Sequence, residues 1–116
     1  MDQRQNSAIY INRNLHNWAK GYCEENETSF SKFVESYLMQ LREGQIKPNF
    51  NFINAEFKMQ GPFKPHEKRN ASLYIDGNLE AWCRRYCADH LVTFGQLIEA
   101  FLINWHSERK GYNGKL

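Results

Sequence analysis

The chain has 116 residues, of which 41% are hydrophobic and 15% aromatic, and its formal net charge is +2 at pH 7. This content is typical of a globular protein, and no apolar run approaches the stretch of about 18 residues that a membrane span needs. The small net charge excludes indiscriminate electrostatic binding to nucleic acid, so any affinity for DNA must come from placed contacts. With an odd number of cysteines and no secretory signal, we expect a soluble, cytoplasmic protein with free thiols.

The first predicted element is a short strand over residues 6–12, where Ile9 and Ile11 alternate with outward-facing neighbours. Asn12 then caps a first helix, which ends near Asn26. The apolar residues of this helix recur with a period of 3.6 residues, so they form one stripe. The stripe consists of Leu15, Trp18, Ala19, Tyr22 and Cys23.

A second helix begins after a tight turn, with Ser29 as its cap, and stops at Gly44. Its apolar stripe is Phe30, Phe33, Val34, Tyr37, Leu38 and Leu41. The segment 45–69 contains all three prolines and marks a linker. Because this linker is rich in phenylalanine, we expect it to pack around the domain, with a turn of structure near 54–59, and binding of a partner protein is the alternative.

The segment from Ala8 to Leu41 recurs 64 residues later without a gap. Ten residues are identical between the copies, which predicts a duplicated unit with a first repeat at 6–44, a second at 70–107 and a polar tail at 108–116. The identities are Tyr10, Ile11, Asn14, Leu15, Trp18, Tyr22, Cys23, Phe30, Glu35 and Leu38, with their counterparts 64 positions on. In the second copy the strand is 71–75, and Asp76 and Thr93 cap the helices.

Neither repeat, at about 40 residues, is large enough to bury a core alone, so the two should share one. We therefore predict a mostly α fold in which the two strands pair as an antiparallel β-ribbon about a pseudo-twofold axis, with four helices beneath it. Ile9, Ile11, Leu73 and Ile75 should face this core. A two-stranded ribbon has the right width to enter a DNA major groove. The residues predicted to face outward are Asn6, Ala8, Tyr10, Asn70, Ser72 and Tyr74.

Strand, helix and helix at matched spacing, written twice, resemble the ribbon-helix-helix (MetJ/Arc) superfamily, and the turn at 24–29 is close to the corresponding turn of that family. Family members are normally homodimers of one repeat, and the fused pair is similar to a tandem form known in conjugation. The resemblance implies sequence-specific binding of double-stranded DNA, with base edges read by the six outward residues. It also implies phosphate contacts at the start of each second helix. These are Ser29, Phe30, Thr93 and Phe94, with Arg4 and Arg69 as further predicted phosphate contacts.

Two functions from different classes follow as expectations. The first is a small transcriptional repressor or a plasmid or conjugation accessory factor, associated with the nucleoid. Its partner would be double-stranded DNA carrying an imperfect inverted repeat, with further copies of itself on adjacent sites. The alternative is a protein-interaction module, such as an antitoxin or inhibitor, on the same fold. No association with a membrane is expected.

Metal binding and catalysis are weaker interpretations of this sequence. Cys83, Cys87 and His90 have the i, i+4, i+7 spacing of ligands on one helical face. The first copy has Ala19 and Asn26 at two of these three places, and small buried thiols suit a core stripe. There is no HExxH motif, no Ser/His/Asp grouping and no acidic pair in an evident cleft. We therefore expect no metal, no cofactor and no enzymatic activity.

Overall fold

A computed structural model describes residues 4–50 and 68–110, and within these ranges the chain forms two strands and four helices. None of the helices in this part of the chain combines the length and apolar character that crossing a membrane requires. In chain order the elements are β1 (Arg4–Asn12), α1 (Arg13–Glu25), α2 (Phe30–Arg42), β2 (Lys68–Asp76), α3 (Gly77–Asp89) and α4 (Phe94–Lys110).

All four helices begin at the residues predicted to cap them. In each case the side-chain oxygen of the cap accepts a hydrogen bond from the backbone N–H three residues on, at 3.0 or 3.1 Å. This bond satisfies one of the donors that a helix N-terminus leaves unpaired. The acceptors are Asn12, Ser29, Asp76 and Thr93, and the donors belong to Leu15, Lys32, Leu79 and Gln96.

The joint between the two helices of each repeat has the same backbone conformation in both copies. Glu27 and Leu91, which are 64 positions apart, both adopt a left-handed conformation, with φ values of 56° and 59°. The next residue in each turn donates its N–H to a carbonyl of the preceding helix, from Thr28 to Cys23 at 2.9 Å and from Val92 to Cys87 at 3.0 Å. Such a left-handed residue satisfies the last carbonyls of a helix and redirects the chain.

The strands β1 and β2 form an antiparallel two-stranded ribbon in which Ala8 lies opposite Ser72. Each strand begins two or three residues before its predicted start, because pairing satisfies backbone groups beyond the apolar residues that marked the strands. Since β2 starts at Lys68, the last two residues of the predicted linker belong to the ribbon. We define the terminal pairs of the ribbon as Arg4 with Asp76 and Asn12 with Lys68.

The core lies between the ribbon and the helices, as predicted. Ile9, Ile11, Leu73 and Ile75 are at most 3% exposed and face it. The helices contribute Leu15, Ala19, Val34, Leu38, Leu79, Cys83, Leu97, Ile98 and Leu102, among others. The predicted tryptophans of the stripes, Trp18 and Trp82, are only partly buried and pack against the edge of this core.

The helices α2 and α4 meet through a stack of two aromatic rings. The ring centroids of Tyr37 and Phe101 are 3.6 Å apart, with 19° between the ring planes. These two residues occupy equivalent positions in the two repeats, as do Ala8 and Ser72 in the ribbon. At both places a residue therefore contacts its own counterpart from the other repeat.

The helix α4 is longer than predicted and includes the first three residues of the expected tail. Its last turns have packing partners, because His106 is 3% exposed and stacks on Trp18 with ring centroids 3.9 Å apart. Residues 111–116 and the turn of structure predicted near 54–59 lie outside the described residues.

A chain of residues 1–45 should be unfolded unless it associates with itself. Without the second repeat, β1 has no partner strand and Ile9, Ile11 and Leu38 lose their shared core. Circular dichroism at increasing protein concentration, with light scattering, checks this expectation. A stably folded monomer of residues 1–45 would contradict the shared core, and the full chain should fold independently of concentration.

Candidate nucleic-acid interface

The outward face of the ribbon consists of the six predicted residues, and all six are exposed. Its largest members are Tyr10 and Tyr74, which are 58% and 48% exposed. Exposed tyrosines of this size have no packing role beneath the ribbon, where the core is already closed by the inward residues. The predicted orientation of both strands is therefore confirmed.

Each end of the outward face carries one asparagine and one tyrosine, and the strand that supplies the asparagine at one end supplies the tyrosine at the other. Asn6 lies opposite Tyr74 at one end, and Asn70 lies opposite Tyr10 at the other. Only the central pair, Ala8 with Ser72, differs between the strands. The face carries amide and hydroxyl groups and no formal charge, so it can donate and accept hydrogen bonds at either end.

Each end of the ribbon is held against the N-terminus of a helix from the other repeat. The Ser31 hydroxyl oxygen of α2 accepts a hydrogen bond from the Tyr74 N–H at 2.8 Å. At the equivalent position in α4, Gly95 lies so close to the ribbon that a Cβ atom would be 2.5 Å from the Tyr10 carbonyl oxygen. One end is thus joined by a hydrogen bond, and the other by close backbone contact that only glycine permits.

The predicted phosphate contacts at the helix starts lie beside the two ends of the outward face, because Ser31 and Gly95 anchor those helix starts to the ribbon. Ser29 and Thr93 are exposed, and their side chains are used as caps. The Thr93 N–H already donates to Gln96 Oε1 at 2.9 Å, so this amide is engaged at the start of α4. Of the other two predicted contacts, Phe30 is partly buried and Phe94 is buried.

Arg4 and Arg69, predicted as phosphate contacts, are both engaged with other side chains. Arg4 Nη1 lies 2.9 Å from Glu35 Oε1 in an ion pair. Arg69 donates from Nε to His16 Nδ1 at 3.1 Å and from Nη2 to the side-chain oxygen of Asn17. Phosphate binding by either arginine would have to share or replace these contacts.

Two buried glutamates at the ends of the ribbon were not predicted from the sequence as site residues. Glu35 accepts from the Asp76 N–H at 3.0 Å, and Glu99 accepts from the Asn12 N–H at 2.7 Å. Each carboxylate also has a cationic partner. Glu99 Oε1 lies 3.3 Å from Lys68 Nζ, and Glu35 forms an ion pair with Arg4. Burial raises the pKa of Glu99, against the opposing effects of Lys68 and the Asn12 N–H. The sequence did contain a sign of their importance, because a glutamate occurs at the same place in both repeats among the apolar residues of the second helix.

The same strand position carries different chemistry in the two repeats. Gln5 Nε2 donates to Glu80 Oε1 at 3.0 Å, whereas its counterpart Arg69 donates to His16. His16 is 8% exposed, and burial, followed by the charges of Arg69 and Lys20, lowers its pKa to about 4. Because Arg69 has only donors, His16 accepts through Nδ1 and is neutral.

The three residues considered as metal ligands lie in different surroundings. Cys83 and Cys87 are buried in the core, and burial raises their thiol pKa values to about 12 and about 11. His90 is exposed, and its Nδ1 lies 2.8 Å from the Tyr86 carbonyl oxygen. Within residues 4–50 and 68–110 no cluster of three or more His, Cys, Asp or Glu side chains is arranged to hold a metal ion.

A second surface feature is a row of aromatic rings along α3. Trp82 and Tyr86 stack with centroids 5.4 Å apart, and Tyr86 stacks on His90 at 4.0 Å. Phe50, at the end of the first described range, lies 6.3 Å from His90. A shallow depression on this helix is lined by Trp82, Arg85, Tyr86, Ala88 and Asp89.

Comparison of the chain with protein-family models, with curated proteins and with solved structures finds no match. The interpretation of the outward face therefore depends on its own geometry and chemistry.

Replacing Gly95 by Ala should displace the Tyr10 end of the ribbon. The added methyl group would meet the Tyr10 carbonyl, a backbone atom that cannot move without shifting β1. We expect the free energy of unfolding to fall by about 1–3 kcal/mol, the usual cost of overpacking. Urea denaturation of the two proteins measures the difference.

The matched control is Gly21→Ala, because a Cβ atom at this helical position meets nothing within 4 Å. That variant should be stabilised by about 0.5–1 kcal/mol, since alanine is the better helix former. Equal effects of the two substitutions would contradict the close contact at Gly95.

The neutral His16 should make folding sensitive to acid. The pKa of His16 is about 4 in the folded protein and 6.5 in an unfolded chain, so below pH 6.5 the unfolded state binds the proton more readily. Stability should fall as the pH drops from 6.5 to about 4, by about 3 kcal/mol in total. The difference in unfolding free energy between the natural chain and His16→Gln should shrink over this range, and a constant difference would contradict the assignment.

Proposed function

We propose that the chain is a tandem, single-chain ribbon-helix-helix protein that binds double-stranded DNA sequence-specifically through its ribbon. The observation that carries this proposal is the outward face, which is exposed, uncharged, equipped with hydrogen-bonding groups at both ends and bordered by two helix N-termini. A two-stranded ribbon fits the major groove, and the N-terminus of a helix favours an anion such as phosphate.

The pseudo-dimer part of the proposal is supported by contacts between equivalent residues. Ala8 and Ser72 pair at the centre of the ribbon, and Tyr37 of α2 stacks on Phe101 of α4. Residues that meet their own counterparts lie on or near a twofold axis, as at a symmetric dimer interface. The helix contacts of Ser31 and Gly95 to the opposite strands are likewise reciprocal.

In the proposed complex the six outward residues read base edges. Asn6 and Asn70 can each bind adenine with two hydrogen bonds, Ser72 can bond to either kind of base edge, and Ala8 can contact a thymine methyl group. Tyr10 and Tyr74 bring a hydroxyl group on an aromatic ring. Helix amides near Ser29–Phe30 and Thr93–Phe94 hold phosphates, which position the protein without reading sequence.

The preferred site is an imperfect inverted repeat. Its two halves are read by the same residue types, while the central pair distinguishes the strands. A binder of this kind serves as a small repressor or as a plasmid or conjugation accessory factor, with further copies on adjacent sites. Selection from a random duplex pool tests the proposal directly, and recovery of unrelated sequences with no inverted repeat would overturn it.

Replacing Asn70 by Ala should remove discrimination at one base pair of one half-site, at a cost of about 1–3 kcal/mol. Loss of a phosphate contact near Thr93 should instead weaken binding to all sequences alike. Titrations on selected and shuffled duplexes at several salt concentrations separate these effects.

The control for that titration is Asn104→Ala, an exposed asparagine on α4 whose side chain bonds to Glu108. It should leave both affinity and discrimination unchanged. If binding is indifferent to all six outward residues, the ribbon does not enter the groove.

The alternative function, a protein-interaction module, is favoured by one observation. Leu91 is 92% exposed in a left-handed conformation that leucine rarely adopts, and it follows the aromatic row of α3. Glu27 has the same conformation in the first repeat, so the conformation belongs to the turn, and it is the exposed apolar side chain of Leu91 that favours a protein partner. Under this alternative, Leu91→Asn abolishes binding of the partner, whereas DNA binding by the ribbon is unaffected by that substitution.

A further inference from the structure

We propose that Glu35 and Glu99 are positioning residues that determine how sharply the ribbon discriminates between base sequences. This inference rests on the proposed function and concerns the same surface. Neither carboxylate lies on the outward face, since both residues are buried, at 8% and 3% exposed. They act through the strands that carry the base-reading residues.

Each carboxylate binds both members of one terminal pair of the ribbon. Glu35 accepts from the Asp76 N–H at 3.0 Å and pairs with Arg4 at 2.9 Å. These two residues lie directly opposite each other in the register. A single side chain of α2 therefore fixes both strands at this end.

The other end repeats the arrangement with equivalent residues. Glu99 accepts from the Asn12 N–H at 2.7 Å and lies 3.3 Å from Lys68 Nζ, and these two residues form the other terminal pair. A side chain of α4 thus fixes the second end. All six outward residues lie between the two fixed ends.

A two-stranded ribbon with no neighbouring strand varies more in twist than a larger sheet does. Here the terminal pairs are tied to two helices that are packed against each other through Tyr37 and Phe101. The twist between the ends, and with it the spacing of the Asn6 and Asn70 side chains, is therefore set by the two carboxylates. Releasing one end lets the strands twist without opening the core.

Base reading and phosphate binding depend differently on that spacing. A pair of hydrogen bonds to a base edge needs both partners in place, whereas phosphate contacts tolerate displacement and carry no sequence information. Loosening one end should therefore reduce specific binding more than non-specific binding. This split separates a positioning role from a general loss of folded protein.

The test compares Glu99→Ala with Glu99→Gln. Alanine removes every contact of the carboxylate, while glutamine keeps an oxygen for the Asn12 N–H. We expect alanine to lower the ratio of specific to non-specific affinity by about tenfold, within the range that one good base contact supplies. Glutamine keeps the Asn12 contact but loses the ion pair with Lys68, so it should lower that ratio by less than alanine does, and non-specific affinity should be unchanged in both variants.

The matched control is Leu102→Val, which changes a buried apolar residue of the same helix and leaves the Glu99 carboxylate in place. It should lower the melting temperature and leave the affinity ratio intact. All affinities are measured at a temperature where circular dichroism shows each variant to be folded. If Glu99→Ala does not fold, Lys68→Met provides a second test. It removes the same ion pair by changing the more exposed partner, and it should still lower the ratio of specific to non-specific affinity.

The outcomes separate the inference from the function on which it rests. If the natural chain does not distinguish selected from shuffled duplexes, the proposed function fails, and the inference fails with it. If the natural chain discriminates and folded Glu99→Ala or Lys68→Met does so equally well, only the positioning role is overturned. An equal loss of discrimination in Leu102→Val would also overturn it.

Discussion

The antiparallel pairing of β1 with β2 is the constraint on which the other features of the structure depend. It brings together two strands that each lack another partner among the described residues, and it directs four isoleucine or leucine side chains into one core. Among residues 4–50 and 68–110, the same pairing leaves one face of the ribbon without a covering layer. Because both helix pairs must pack beneath the ribbon, the starts of α2 and α4 come to lie at its two ends.

Much of this architecture could be predicted from local chemistry. Helical periodicity, four caps and the recurrence after 64 residues identified every described element in its correct order. The alternation of Ile9 and Ile11 with Asn6, Ala8 and Tyr10 was sufficient to assign the two faces of the first strand. These signals are reliable because each depends on residues close together in the chain.

Contacts between residues far apart in the chain were harder to predict from the sequence. Arg4 was predicted as a phosphate contact, yet its partner Glu35 is 31 positions away and lies in another element. Glu99 was noted only as an identity between the repeats, although a carboxylate among apolar helix residues needs a buried partner. Which donors it meets depends on the register of the ribbon, which no local pattern specifies. The different roles of Ser31 and Gly95 could not be predicted for the same reason, because each residue contacts a strand of the other repeat.

The register of the ribbon also has a consequence for the time at which the protein can fold. Paired residues are separated along the chain by 56 positions, for Asn12 and Lys68, up to 72, for Arg4 and Asp76. At synthesis rates of about 5–20 residues per second, β1 waits roughly 3 to 14 seconds for its partner to be translated. During that interval the backbone edge of β1 is unpaired, and Ile9 and Ile11 lack the part of their core that the second repeat supplies. Ribbon formation is thus a late event of synthesis, and the nascent first repeat is the form most exposed to pairing with other chains.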